Sequence, residues 1–403
     1  MSDDRVKFAV VGLGGFAKSH LAGVASVEEA GIGELDAVVC IDPENHVETR
    51  VELRSQGVRV FDDVDSLLEA GGMDVVTLPI GIHDHVPLSI ASAEAGFHVI
   101  VEKPLAAVVQ DADRLIEVRD RTGKAVIVGY QFLYSDTIQG LKDRVMDGRL
   151  GRVVSIRVSA GWPRGDAYYA RNGWAGRLKR GEDWVLDSPI NNALSHQVTN
   201  ALFLAGRTLD TASSVSSVQA ELYRARDIES LDTASVRATT ESGVTVHIAM
   251  SHVTENRFGP YIVMQCEKGT VSWEIGSARI EYGDGAEETI EDDTKTELRV
   301  RSFHNMVAAI HADAPVVSTL EIARAQTLCI NGAHESCGDV RTIPDAFVRT
   351  VNKEGNPFRV VDGMDDLIRR GAEEGKLFSE MGVTWAVASE EFLTTGYDSF
   401  PRG

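Results

Sequence analysis

A doubly wound α/β sheet, followed by a region built on a mostly antiparallel sheet, is the fold class this chain predicts. Three observations carry it. Apolar runs alternate with helical patterns through the first third, a glycine-rich turn follows the first of those runs, and later strand-like stretches follow one another without regular helices between them. At 403 residues the chain is too long for one ordinary core, and about 100 to 200 residues per domain makes two the working number. The reading divides it into an α/β domain over residues 1–126 and an α+β domain over 127–403 that ends in a helical tail.

Phe8-Ala9-Val10-Val11 is apolar throughout, as a parallel strand buried on both faces requires, and it runs into Gly12-Leu13-Gly14-Gly15-Phe16-Ala17. Similar runs recur at 37–41, 58–61, 74–78, 98–101 and 125–128, with helical patterns such as 63–70, 86–95 and 111–122 between them. Right-handed crossovers bring the ligand-facing ends of such strands to one edge. That edge collects Gly12 to Ala17 after the first strand, Asp42 after the second, and Pro79 to His85 after the fourth. Lys103 follows the fifth and Tyr130-Gln131 the sixth.

The turn reads G-x-G-x-x-A. Gly12 permits the tight bend, Gly14 lets backbone N–H groups approach a pyrophosphate, and Ala17 is small enough for close packing of helix on strand. Gly15 and Phe16 complete it. Asp42 lies 30 residues after Gly12, more than the usual interval of about 20, and the stretch 30–35 takes up the difference. Its carboxylate is suited to accept from both ribose hydroxyls and would repel a 2'-phosphate. No arginine follows until Arg50, so NAD is expected over NADP. A plain glycine turn and, for Asp42, a cap before Pro43 are the structural alternatives. Pro79, His85, Glu102 and Lys103 complete the candidate cofactor set. In Glu102-Lys103-Pro104 a lysine on a rigid turn closes an apolar strand, a placement suited to moving a proton while hydride moves nearby.

These residues resemble those of the Gfo/Idh/MocA oxidoreductase family. The likeness runs from the G-x-G-x-x-A turn through Leu78-Pro79, His85, the stretch 93–106 around Glu102-Lys103-Pro104, and the helix bearing His196. It is clear over the first half of the chain and looser beyond. It implies a Rossmann domain followed by an α+β domain with a large open sheet, and hydride transfer at a sugar or cyclitol carbon. It also implies that Lys103 contacts the reacting hydroxyl and that His196 is the acid/base. The chain departs from the pattern beside that histidine. Where many members read D-x-x-x-H, this chain has Asn192-Ala193-Leu194-Ser195-His196, and the second acid, three residues after the histidine, is replaced by Thr199. An amide binds a hydroxyl but cannot hold a proton as a carboxylate does. A standard inositol or glucose substrate is therefore less expected.

Asp187-Ser188-Pro189 reads as a helix start with Ser188 as cap, and Gly206 as its stop. Ser188, Asn192, His196 and Asn200 recur every four residues, so one continuous helix would align them on a face suited to a polar ligand or a buried network. The segment 162–184 holds three of the five tryptophans together with Tyr168, Tyr169, Arg164, Arg171, Arg177 and Arg180. That composition suits stacking on a sugar ring with binding of hydroxyls or an acidic group, and equally a subunit interface. Tyr130, Trp174, Arg177, Asn192 and His196 are the candidate substrate contacts.

Strand-like stretches at 153–162, 214–223, 233–240, 244–250, 261–266, 270–275 and 279–282 predict the antiparallel sheet, with helices over one face and the other free to pair between subunits. Helices read at 303–311, 320–335 and 364–378, and the acidic tail beyond Asp345 carries no interpretable motif. Forty basic against 61 acidic residues give a charge of -21, which repels nucleic acid and anionic membrane alike. No apolar run approaches the roughly 20 residues of a membrane span. The start Met1-Ser2-Asp3-Asp4-Arg5 has no signal-peptide core, and Cys40, Cys266, Cys329 and Cys337 are scattered as reduced thiols would be. His83 and His85 have no third ligand at metal spacing, so no metal site is read. The expectation is a cytoplasmic, homo-oligomeric (dimer or tetramer) NAD-dependent dehydrogenase of a sugar or polyol. An NAD-retaining glycosidase and a non-catalytic ligand sensor are the alternatives.

Overall fold

The computed structural model describes residues 4–293 and 296–402, so part of the charged start, residues 1–3, lies outside it. The chain divides into two compact units. One comprises Met1–Ala106, Asp111–Tyr134 and Thr294–Ala323; the other comprises Ala107–Gln110, Ser135–Asp293 and Arg324–Gly403.

The first unit is built on strands β1 (Val6–Val11), β2 (Gly33–Val39), β3 (Arg59–Phe61), β4 (Val75–Leu78), β5 (His98–Val101) and β6 (Val126–Val128). They form one parallel sheet in the order β3-β2-β1-β4-β5-β6. Phe8, Ala9, Val10 and Val11 are all fully buried, which is the physical reason the first run contains no polar residue. The strand order reverses between β1 and β4, and in sheets of this kind the crevice beyond the carboxyl ends at such a reversal receives the ligand. A late helix, Leu298–Ala312, packs on Ala17–Glu29 in this same unit. Gly23 makes that contact possible, since a Cβ there would stand 2.3 Å from the ring of buried Phe303.

One helix begins earlier than its sequence pattern indicates. It spans Ile82–Glu94 instead of starting at residue 86, so His83 and His85 lie in its first turns and not in a loop. Pro87 sits inside it, and the loss of that N–H is outweighed by burial of Ile82, Val86 and Ala93.

The second unit carries a large sheet in the order Glu287–Glu291, Ser277–Tyr282, Gly269–Glu274, Phe258–Cys266, Val153–Gly161, Thr245–Ser251, Thr233–Thr240, Val215–Arg224 and Arg341–Thr342. Most pairs are antiparallel; Val153–Gly161 with Thr245–Ser251 and Val215–Arg224 with Arg341–Thr342 are parallel. Alternation along the strands gives the sheet one apolar face, with Val158, Ile248, Val236 and Ile262 in register across it. The opposite face is polar, bearing Ser159, Ser235, His247 and Arg237.

That polar face is not left free, as the sequence reading expected. The chain's own C-terminal segment lies across it. His247 Nε2 donates to the Lys376 carbonyl at 2.9 Å, Arg237 pairs with Glu380, and Gln219 donates to the Ser389 carbonyl at 2.7 Å. Ser379 bonds Glu221 through both its hydroxyl and its backbone N–H. Beside these contacts Met364, Ile368 and Phe378 pack with Tyr223 and Ala249 in a separate apolar cluster. The helix is Met364–Glu374, shorter than the 364–378 pattern, because Gly375 takes a left-handed conformation (φ 64°) that ends it. Strands toward Glu287–Glu291 stay uncovered on this face, where Tyr261 is 40% exposed. Among the described residues no helix is long and apolar enough to cross a membrane.

Candidate active site

In the first unit the glycine turn has the geometry of a phosphate cradle. Gly12 adopts φ 112° and Gly15 φ 55°, both in the region that favours glycine, and the Gly12 N–H bonds the Val39 carbonyl at 2.8 Å. A Cβ on Gly12 would press on the Ala17 Cβ at 3.4 Å. The helix Ala17–Glu29 starts at Phe16, and no side chain caps it. An open helix amino end beside a glycine turn fits a dinucleotide pyrophosphate. Phe16 is 40% exposed, and Arg299 lies 5.0 Å from its ring.

Asp42 follows β2, exposed, and makes no backbone cap before Pro43. Its carboxylate accepts from the Asn45 side chain at 2.5 Å. Pro79 is half-buried after β4.

The Glu102-Lys103-Pro104 turn is held from two sides. Glu102 Oε1 lies 3.2 Å from His20 Nε2, and Glu102 Oε2 accepts the Lys103 backbone N–H at 3.1 Å. Burial raises the pKa of Glu102, but the His20 hydrogen bond and the charges of His20 and Lys103 outweigh it and hold the carboxyl below its ordinary value. A Cβ on Gly129 would come within 2.8 Å of Glu102 Oε1, so this carboxylate fills the space that glycine leaves. From the other side His85 Nδ1 donates to the Pro104 carbonyl at 2.7 Å. The His85 ring is buried, its Nε2 lies 3.2 Å from the Ile80 carbonyl, and burial lowers its pKa against the opposing pull of these two carbonyls, so the ring latches the turn. Glu102 and His85 thus bear on Lys103, which is itself half-buried at the end of β5. Tyr130 is buried (1% exposed) in the turn after β6.

In the second unit the predicted continuous helix is broken. Ser188 caps as expected, its Oγ accepting the Asn191 N–H at 3.1 Å. A wide π turn then covers Pro189–Ala193, Leu194 leaves helical geometry (φ -123°), and a regular helix resumes at Ser195–Ala205. The four-residue stripe of Ser188, Asn192, His196 and Asn200 therefore does not run along one continuous helix. A π turn inserts extra backbone per turn and is frequent at functional sites.

The residue that sequence reasoning missed is Asp187. It is buried (2% exposed); Oδ2 accepts the Gly176 N–H at 2.6 Å and Oδ1 accepts Asn192 Nδ2 at 2.6 Å, with Arg171 3.7 Å away. A carboxylate thus stands behind the amide where the sequence pattern lacks an acid. The preceding Leu186 is fully buried at φ 48°, a conformation that costs a bulky residue about 1 to 3 kcal/mol. Asn191 Nδ2 bonds the Val185 and Leu186 carbonyls across this bend. The available signal was an acid directly before a Ser-Pro helix start, read only as part of the cap. His196 is buried on the helix Ser195–Ala205. Trp174 is half-buried, whereas Arg177 is exposed and paired with Glu229 at 3.0 Å.

Two family models match the chain. Residues 6–130 match the oxidoreductase family with NAD-binding Rossmann fold, and residues 138–272 match the GFO/IDH/MocA C-terminal domain. The chain belongs to the GFO/IDH/MocA oxidoreductase family. Its first unit is accordingly an NAD-binding Rossmann fold. Among curated members, D-apiose dehydrogenase of Paraburkholderia graminis is 27% identical over 255 residues, covering 62% of this chain and 61% of the relative. Glucose-6-phosphate 3-dehydrogenase of Bacillus subtilis is 27% identical over 152 residues, covering 38% and 41%. Myo-inositol 2-dehydrogenase of Thermotoga maritima is 25% identical over 155 residues, covering 38% and 45%. The chain spans 41% to 61% of the length of the first curated relatives it matches. Among solved structures, WlbA dehydrogenase from Bordetella pertussis with NADH and UDP-GlcNAcA has a TM-score of 0.69 at 24% identity, covering 83% of this chain and 97% of that one. Levoglucosan dehydrogenase with NADH and levoglucosan has a TM-score of 0.71 at 15% identity, covering 83% and 97%. At these identities the likeness carries the fold.

Proposed function

We propose that this chain is an NAD-dependent dehydrogenase of the CH–OH group of a sugar, sugar derivative or polyol. In this reading the Rossmann domain of residues 1–126 holds the cofactor and residues 127–403 hold the substrate. One observation carries it: Lys103 sits on a turn fixed by Glu102 and His85, on the same sheet edge as an uncapped glycine turn. A cation positioned that firmly suits a substrate hydroxyl that must lose its proton as its carbon loses hydride.

Bound NAD would supply the hydride-accepting ring. Gly12, Gly14, Gly15 and the amino end of Ala17–Glu29 would bind its phosphates, and Asp42 its ribose hydroxyls, which favours NAD over NADP. Lys103 would donate a hydrogen bond to the reacting hydroxyl, and His196 would take or return its proton. Asn192, held by Asp187, would bind a neighbouring hydroxyl, with Trp174 and Tyr130 shaping the sugar's surroundings. A cytoplasmic homo-oligomer remains part of the proposal, its contact formed by the strands the C-terminal segment leaves uncovered. The test is NADH formation across a panel of sugars, sugar acids, polyols and inositols. Turnover with stoichiometric NADH supports the reading, whereas glycoside cleavage without net NADH would favour an NAD-retaining glycosidase.

A further inference from the structure

Six side chains of the second unit form a ladder in which guanidinium and aromatic groups alternate. Arg257 lies 4.4 Å from the Trp162 ring, and Arg164 lies 5.6 Å from Trp162 and 4.6 Å from Tyr168. Arg171 lies 3.7 Å from Tyr168 and 5.2 Å from Trp174. Aromatic faces attract cations, but they do not neutralise them. Two neighbouring arginines, Arg171 in the ladder and Arg226 beside it, do have carboxylates close by. Arg171 has the Asp187 carboxylate 3.7 Å away, and Arg226, packed 5.1 Å from Tyr169, pairs with Asp166. Arg164, at the centre, pairs with no carboxylate among the described residues, and its buried Nε has no hydrogen-bond partner there. Burial pulls its pKa below the ordinary arginine value, and Arg257 and Arg171 repel it further.

A second, independent group is left in the same state. His252 is buried (1% exposed), its Nδ1 lies 3.2 Å from the Tyr169 hydroxyl, and its Nε2 has no partner among the described residues. Burial and the three neighbouring arginines push its pKa well below 6.5, so the ring is neutral. With the Tyr169 hydroxyl donating to Nδ1, the hydrogen sits on Nε2 as a buried donor without an acceptor. The local sequence adds a charge reversal. Between residues 163 and 180, Arg164, Arg171, Arg177, Lys179 and Arg180 stand against Asp166 alone, in a chain whose net charge is -21. Leaving a guanidinium half-buried and unpaired costs stability unless a ligand completes it.

We propose that this ladder is a subsite for a sugar bearing an anionic group, with the guanidinium of Arg164, held between the rings of Trp162 and Tyr168, pairing a carboxylate or phosphoryl oxygen. The inference rests on the sugar-dehydrogenase reading and adds the substrate class to it. The ladder joins the candidate substrate residues through non-covalent contacts: Arg171 approaches Asp187, and Asp187 holds Asn192, four residues before His196.

The test uses the full chain with NAD and calorimetric titration of D-glucuronate, D-galacturonate and glucose 6-phosphate against D-glucose and D-galactose. Acetate and inorganic phosphate serve as anion controls. The uronates and the phosphosugar separate carboxylate from phosphoryl as the source. At least one acidic sugar is expected to bind about ten-fold more tightly than its neutral counterpart, and Arg164→Gln to abolish the difference, while exposed Arg279→Gln keeps it. Should Arg164→Gln fail to fold, the wild type still decides. Raising salt from about 0.05 to about 0.5 M is expected to weaken acidic-sugar binding and to spare neutral-sugar binding. Equal binding of neutral and acidic sugars, binding of acetate or phosphate as tight as the sugar acids, or a folded Arg164→Gln with unchanged preference overturns the proposal. Turnover of a neutral polyol with no acid preference would overturn this subsite and leave the dehydrogenase reading standing. Acidic-sugar binding without NADH formation would do the reverse.

Discussion

Asn192 donates its Nδ2 to the buried carboxylate of Asp187 at 2.6 Å, so the amide that stands where relatives often carry an acid is itself anchored by one. The bond fixes which end of the amide faces away from Asp187. One of the two amide N–H groups is thereby committed to Asp187, which sets the orientation in which Asn192 would meet a sugar hydroxyl. Asp187→Asn is expected to keep the side-chain volume and lose this orientation. The expected result is a fall of about ten-fold or more in kcat/KM, carried mostly by KM, with cofactor affinity unchanged. Steady-state kinetics beside NADH titration checks it, and an unaltered KM would remove Asp187 from substrate positioning.

Lys103 is the residue on which the proposed chemistry turns. Lys103→Ala is expected to lower kcat by about 10² to 10⁴ while the variant still binds NADH, because the glycine turn and Asp42 are untouched. Rapid-reaction measurement of hydride transfer reads the chemical step directly. Full turnover in the variant would exclude the role.

Cofactor choice gives a separate check. Asp42 is exposed and caps no backbone, so Asp42→Ala is expected to be tolerated by the fold. It should weaken NAD binding and relieve the repulsion of a 2'-phosphate. The ratio of NAD to NADP affinity is expected to fall about ten-fold or more, as two ribose hydrogen bonds are lost. An unchanged ratio would place the discriminating group elsewhere.

The segment across the polar face of the large sheet should contribute substantially to stability. Phe378 is fully buried, with ring centroids 6.1 Å from Tyr223 and 6.0 Å from Trp385. Phe378→Ala is expected to cost about 3 to 5 kcal/mol, seen in denaturant unfolding. A loss under about 1 kcal/mol would mean that the segment is only loosely attached.

Acid sensitivity follows from two buried histidines. Burial lowers the pKa of His247 and of His334 to about 4, against 6.5 for the free side chain. Their neutral forms are therefore favoured by folding. This stability is fully present above pH 6.5 and is lost as pH falls through about 4. At pH 5 each is expected to have removed about 2 kcal/mol, and the Tm should fall steadily below neutrality. His247→Gln, which retains a donor for the Lys376 carbonyl, is expected to flatten that dependence; an equally steep Tm profile would count against it.

The first sheet was legible in the sequence because parallel strands buried on both faces leave uninterrupted apolar runs, as at Phe8 to Val11 and Val99 to Val101. The glycine turn was legible because few residues other than glycine accept the backbone of Gly12 and Gly15. Two features were not. The break at Leu194 leaves no proline or glycine to mark it; it depends on a cap at Ser188 and a π turn that fit the surrounding packing. The cover over the polar sheet face is equally silent, since its contacts join residues such as Gln219 and Ser389 that are distant in the chain.

The sequence by itself determined the strand-and-helix alternation, the phosphate-binding turn and the lysine at the end of β5, because each depends on local backbone preference and periodic burial. Only the tertiary structure decided that Glu102 and His85 both bear on the turn that carries that lysine, that Asp187 stands behind Asn192, and that Arg164 lies between Trp162 and Tyr168 with no carboxylate partner among the described residues. These depend on distances between side chains that folding brings together, and on which charges find a partner once water is excluded.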